Sequence, residues 1–269
     1  MKGSSATSRL EGTRFGEVRW VDETGSTNAD LLAAAAEGAP DGLVLVADHQ
    51  TAGRGRLDRT WSAPAGASLL VSVLLRPTMA AGDAHLLTTA AGVAAVEACR
   101  QLDGITPGLK WPNDLVVLAG HRFAGRKLGG ILAEARLKGP DVEAVVVGMG
   151  LNVEWPFDLP PELVDVAVAL NHVSGRAIDR EDLLVAWLTR LDAVLADLDE
   201  PDGRVRLLES VRRVSATIGR PVRAELPDGT AVEGTAVDVA ANGHLVVSPS
   251  DGGPPLEIAV GDIVHLRQR

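Results

Sequence analysis

The hydrophobic positions of this 269-residue chain repeat with strand-like and helix-like periods, and these periods divide it into segments. Residues 1 to about 17 are polar, contain Gly and Ser and show no periodicity, which predicts a loose tail. "VRWVDE" reads as a strand. "STNADLLAAAAEG" predicts a helix, because Ser26 or Thr27 can cap its first turn, four alanines favour it and Gly38 stops it. "LVLVADHQ" and "ASLLVSVLLRP" are apolar runs of strand length, the second closed by Pro77, and the alanine-rich residues 83–101 predict a helix. "LKWPNDLVVL", "KLGGILAEAR" and "VEAVVVGMGLNV" continue as strands joined by Gly-containing turns.

Asp179 then stands where it can cap a helix whose Leu184, Trp187, Leu188, Leu191, Leu195 and Leu198 recur at three- and four-residue spacing, the stripe of a packed amphipathic helix. A last helix is predicted over about 203–214. From Ile218 the period shortens to two, with turn signals "PDG", "ANG" and "DGG", as in a small five-stranded barrel. The pattern predicts an α+β fold: a tail (1–17), a domain with most strands on one sheet (18–216) and an all-β appendix (217–269).

Composition narrows the function. With 36 acidic against 26 basic residues the net charge is −10, so the overall field repels polyanions, and a bound anion is expected to be small. Cys99 is the only cysteine, which excludes an intrachain disulfide and a cysteine-rich metal site. The first twenty residues lack the apolar stretch of a signal peptide, and no window approaches the ~18 apolar residues of a membrane span. A soluble, cytoplasmic protein with no membrane partner is expected.

Against that acidic background, "HQTAGRGRLDRTW" alternates Gly53 and Gly55 with Arg54 and Arg56. The glycines let backbone approach a ligand, and each guanidinium offers a planar fork suited to carboxylate or phosphate. Taken alone, such a tetrapeptide is more often a solvated surface loop. "KWPND" offers Lys110, Asn113 and Asp114 around a rigid Trp-Pro pair, although an aspartate in such a place, taken alone, is more often a turn residue bonding its own backbone than a metal ligand or ribose contact. "KLGGIL" begins a strand with Lys127 and removes side chains at Gly129 and Gly130, where a flat ligand or another backbone could lie close. "GMGLN" ends on Asn152, and "GSTN" gathers Ser26, Thr27 and Asn28 at a helix start, where simple capping also accounts for them. No G-x-S-x-G, P-loop or G-x-G-x-x-G is present, and no histidine pair has helical metal-ligand spacing.

The order "GSTN", "HQTAGRGR" with Trp61, "KWPND", "KLGGIL", "GMGLN" resembles that of biotin protein ligases, over about residues 18–269. The resemblance implies a class II aminoacyl-tRNA-synthetase-like catalytic domain, a mixed sheet flanked by helices, followed by a small SH3-like barrel. It implies a ligase that joins biotin to ATP, giving biotinyl-5′-AMP, and then loads one lysine of a biotin carboxyl carrier domain. By the same resemblance Lys127, Arg54, Arg56 and Asp114 are catalytic. Ser26, Thr27, Asn28, Gln50, Gly53, Gly55, Gly129 and Gly130 join Arg54, Arg56 and Lys127 around biotin. Trp61, Asn113 and Asn152 join the arginines and Lys127 around the nucleotide. Mg²⁺ is expected on the ATP phosphates, with no metal ligands from the protein itself.

Residues 52–60 are expected to order around ligand and exclude water. Asp58 departs from the glycine common in the family's loop, and "LAGHRFAGR" looks long and is expected to protrude. About twenty residues precede the first strand, too few for a winged helix, so no DNA partner is expected; a monomer or weak homodimer is. The alternatives are a lipoate or octanoyl ligase-type transferase, which shares the fold, and a non-catalytic biotin-binding module.

Overall fold

The computed structural model describes residues 3–139, 141–259 and 261–266. In chain order the elements are α1 (Ser4–Arg9), β1 (Glu17–Thr24), α2 (Thr27–Ala36), β2 (Leu43–Gln50), β3 (Ser68–Leu75), α3 (His85–Asp103), β4 (Gly108–Lys110), β5 (Asp114–Val116), β6 (Lys127–Lys138) and β7 (Asp141–Asn152). They continue with α4 (Pro161–Val164), α5 (Leu170–Ser174), α6 (Arg180–Leu198), α7 (Gly203–Val214), β8 (Pro221–Glu225), β9 (Ala231–Val239), β10 (Leu245–Pro249), β11 (Leu256–Ile258) and β12 (Asp262–His265).

Strands β1 to β7 form one sheet in the order β1-β2-β3-β7-β6-β5-β4, with β1 and β2 parallel and every other pair antiparallel. Side chains alternate between its faces. Val46, Leu69, Val71, Val73, Val147 and Leu151 pack toward one side in a core shared with α3 and α6, where Trp187 is fully buried and donates to the Ala91 carbonyl. On the other side α2 seats Leu31 and Ala35 on Leu45, Leu74 and Val146. The cavity described below occupies that same side. Asp179 caps α6 by accepting from the backbone N–H groups of Glu181 and Asp182, which satisfies two of the donors a helix start leaves open.

The C-terminal strands form a second, antiparallel sheet, β11-β10-β9-β8-β12, the small barrel-like unit expected, although β11 and β12 do not pair with each other among the described residues. No described helix is long and apolar enough to cross a membrane. Cys99 is buried in α3.

Three expectations need correction. The segment expected as a loose tail contains α1, and Ala6, Leu10 and Phe15 are fully buried, while Arg9 and Arg14 pair with Asp182 and Asp192 of α6. Three isolated apolar side chains establish no period, so the pattern could not reveal them. "LKWPNDLVVL" is a hairpin, β4 and β5, because Pro112 has no N–H to give to a ladder and the chain turns there. The long connection after β5 does not simply protrude: Phe123 packs against the core beneath the guanidinium groups of Arg122 and Arg126 at 4.5 and 5.1 Å. The short helices α4 and α5 were not predicted.

Candidate active site

Strand pairing lines residues up in two rows on the α2 side of the sheet. One row runs Leu45, Ser72, Gly148, Leu132; the next runs Ala47, Leu70, Gly150, Gly130, Asp114, Lys110. The glycines of β7 are required by what lies over them. A Cβ on Gly148 would stand 2.1 Å from Asn28 Oδ1, and one on Gly150 would stand 2.5 Å from the Trp61 ring. The rows therefore make a floor whose polar groups are Ser72 at one end and Asp114 and Lys110 at the other.

Over the Ser72 end, the start of α2 builds a buried polar cluster. Ser26 occupies the N-cap position, yet its side chain makes no capping bond; Gln50 Oε1 accepts instead from the Thr27 backbone N–H at 2.8 Å and from its hydroxyl at 3.0 Å. The Ser72 hydroxyl lies 2.7 Å from that of Thr27 and donates to Asn28 Oδ1 at 2.6 Å. The Asn28 amide donates to the Leu132 carbonyl and to Glu134 Oε2, and the same carboxylate oxygen accepts from Arg54 at 2.9 Å. One continuous chain of hydrogen bonds thus joins the helix start to the arginine loop.

That loop is a small hairpin. Arg54 bridges to Thr60, Gly55 N–H donates to the Arg59 carbonyl, and Trp61 N–H donates to the Gly53 carbonyl. Leu57 and Asp58 turn its tip with φ of 53° and 57°. Arg56 reaches the Asn113 side chain and the Gly261 carbonyl, each at 3.4 Å, and lies 3.9 Å from Asp262; Arg59 also pairs with Asp262. Asn113 is itself fixed by donating to the Ile131 carbonyl. Lys127 Nζ sits 2.6 Å from Asp114 and 5.5 Å from the centre of the Trp61 ring.

These groups surround one cavity of about 320 Å³. Ser26, Thr27, Asn28, Gln50, Arg54, Gly55, Arg56, Trp61, Asn113, Asp114, Lys127 and Gly130 all line it. Three residues singled out in the sequence do not. Gly53 lies behind the loop against the Trp61 backbone, and Gly129 faces the core side against Leu151. Asn152 is buried, and its amide donates to the Val168 carbonyl at 3.1 Å and to the Lys127 carbonyl at 3.5 Å. It braces the start of β6, from which Lys127 projects, instead of entering the cavity.

A second, larger cavity of about 1030 Å³ adjoins the first and shares Arg54, Arg56, Arg59, Lys110, Asn113 and Asp114 with it. Burial lowers the pKa of Arg56, with Asp262 and Asp114 opposing and Arg59 assisting. Burial likewise lowers that of Lys110; Asp114 opposes, Lys127 assists, Asp262 opposes and Arg59 assists. Sequence reasoning missed Ser72, Glu134, Gly148, Gly150 and Asp262. A lone serine in the apolar run "LLVSVLL" and glycines two apart on one strand were available signals. For Asp262 there was none, since it arrives from the second sheet.

The same arrangement of parts is found in known proteins. The biotin/lipoate A/B protein ligase family model matches residues 21–152, and the model of the biotin protein ligase C-terminal domain matches residues 217–266. The biotin–[acetyl-CoA-carboxylase] ligase of Mycobacterium tuberculosis is 40% identical over 95% of this chain and 91% of its own length. The chain belongs to the biotin protein ligase family. The bifunctional ligase/repressor BirA of Bacillus subtilis is 33% identical over 86% of this chain and 69% of its own. The biotin protein ligase of Aquifex aeolicus, solved in complex with biotin and ATP, superposes with a TM-score of 0.79 at 27% identity, covering 94% of this chain and 100% of that one.

Proposed function

We propose that this protein activates biotin with ATP and transfers it to one lysine of a biotin carboxyl carrier domain of a carboxylase. In the first step a carboxylate oxygen of biotin attacks the α-phosphorus of ATP. The bond from that phosphorus to the oxygen bridging the β-phosphate breaks, its electron pair leaves with pyrophosphate, and biotinyl-5′-AMP remains. In the second step the uncharged amine of the acceptor lysine attacks the carbonyl carbon. AMP departs with the bond's electron pair, and the nitrogen gives up a proton, for which Asp114 is the carboxylate at hand.

One observation carries this reading: Arg54, Arg56 and Lys127 line a single cavity whose other end is a neutral cluster of donors and acceptors. The first step brings two anions together, so fixed positive charge must cancel their repulsion, and a preorganised cation does so without reorganising in the transition state. The neutral end suits a ureido ring, because each group left unpaired in a buried site costs roughly 1–3 kcal/mol. Ser26, whose side chain is not consumed by capping, and Asn28 and Gln50 are assigned to that ring. Trp61 and Asn113 are assigned to the nucleotide. Mg²⁺ is assigned to the ATP phosphates, and no group of three metal-ligating side chains stands ready for it among the described residues.

The hairpin 52–60 is assigned the part of a flap, holding water from the mixed anhydride once ligand is bound. The catalytic domain is taken as 18–216 and the barrel as 217–269. Incubating the protein with ATP, a purified carrier domain and labelled biotin or labelled lipoate tests the reading. Label transfer from biotin alone is expected. Transfer from lipoate in preference to biotin, or biotin binding without transfer, would contradict it.

A further inference from the structure

The cations lining the smaller cavity differ in how they are already engaged. Arg54 is paired with Glu134, Arg56 and Arg59 with Asp262, and Lys127 with Asp114. Lys110 also lines it, and no described carboxylate pairs with Lys110 within 4 Å. It is the fifth cation of this wall and the one left without an ion pair among the described residues. The same side chain lines the larger cavity next door, so it stands at the boundary of the two.

Its place in the sheet gives that ammonium a direction. The row Gly150, Gly130, Asp114, Lys110 crosses β7, β6, β5 and β4, the last being the sheet's edge. Strands lie ~4.8 Å apart, so Lys110 is roughly 10 Å beyond Gly130. The neutral cluster of Thr27, Asn28 and Ser72 lies over the opposite stretch, near Gly148 of β7. A biotin with its ring in that cluster presents its carboxylate toward Lys127 and β6. Displacement at phosphorus is in line, so the leaving group exits away from the nucleophile, toward β5 and β4.

We infer that Lys110 is a catalytic residue of the adenylation step, contacting the β- and γ-phosphates of ATP and stabilising the pyrophosphate as it departs. The inference rests on the ligase reading above. It adds a separation between the two half-reactions: the bond from α-phosphorus to the bridging oxygen breaks only in the first, where charge accumulates on that oxygen. No pyrophosphate is present in the second, so acceptor loading from finished adenylate is independent of Lys110. The burial that lowers the pKa of this lysine also strengthens its attraction for an entering polyanion, since less water screens the pair.

The test uses Lys110→Met and Lys110→Gln, which remove the charge and keep much of the stem, in the full-length protein. Pyrophosphate release from ATP and biotin is measured in parallel with single-turnover loading of a carrier domain from supplied biotinyl-5′-AMP. Loss of one preformed electrostatic contact to a transition state costs ~100-fold. A loss of that order in kcat for pyrophosphate release is expected in both variants, with loading from adenylate within about twofold of wild type and calorimetric biotin binding unchanged. Wild-type pyrophosphate release, or an equal loss in both half-reactions, would overturn the role. A wild-type protein that released no pyrophosphate would overturn the ligase reading itself and this role with it.

Discussion

Single residues in this protein repeatedly serve two elements at once. Glu134 accepts from Asn28 and Arg54, so the helix start and the arginine loop share one carboxylate. Asp58 adopts the left-handed backbone, φ 57°, a conformation that favours the glycine common at that place in the family. Thr217 is fully buried and accepts from the Trp111 N–H, and its hydroxyl lies 3.3 Å from His265 Nε2. The surroundings of that imidazole favour its neutral form. Burial, then Lys110 and Arg220, push the His265 pKa down to about 4.

The unfolded chain takes up a proton near the ordinary histidine value of ~6.5, and the folded protein refuses it until about 4, so stability from this site is lost as pH falls through that window. Denaturant unfolding of wild type and His265→Gln at about pH 7 and about pH 5 checks it. The variant is expected to lose less stability on acidification than wild type; an equal loss would show that His265 does not carry the effect.

At the scale of elements, the strands over Leu43–Gln50 and Ser68–Leu75, the helix over Gly203–Val214 and the cap at Asp179 were legible because local pattern and tertiary role agree. The segments that misled are those in which one residue overrides a period. Pro112 breaks an apolar run into a hairpin, and Leu10 and Phe15 bury a segment that is otherwise polar. The site was legible as motifs but not as a surface: "KLGGIL" and "GMGLN" read separately, whereas pairing sets Gly130 beside Gly150 to make one floor. Gly150 tests that floor. Gly150→Ala puts a methyl group into the Trp61 ring, and overpacking of this kind costs roughly 1–3 kcal/mol. Displacing the ring is expected to raise the KM for ATP about ten- to a hundredfold in steady-state pyrophosphate release, with the fold retained at a lowered melting temperature. An unchanged KM would mean that Trp61 and the floor are not part of the nucleotide site.

For the molecule as a whole, the second sheet is joined to the first through the site as well as through packing. Asp262 and the Gly261 carbonyl, at the start of β12, hold Arg56 and Arg59 of the loop, and the Gly243 carbonyl accepts from the Trp111 indole. This accounts for a C-terminal unit as a support that presets the arginines, a role no local motif in residues 217–269 could announce. Asp262→Asn removes the charge that draws both arginines across. At about 1 kcal/mol for a partly exposed pair, the KM for ATP is expected to rise roughly fivefold with the fold intact, measured by steady-state pyrophosphate release. An unchanged KM would reduce the contact to packing.

The central claim is that guanidinium and ammonium groups from separate elements are gathered so that biotin's carboxylate can attack a nucleotide phosphate. Isotope exchange between pyrophosphate and ATP measures that step alone, without a carrier domain. Exchange that requires biotin in the wild-type protein, and that Lys127→Ala abolishes while keeping its fold, is the predicted result. Exchange that proceeds equally without biotin, or that survives the loss of Lys127, would contradict the account.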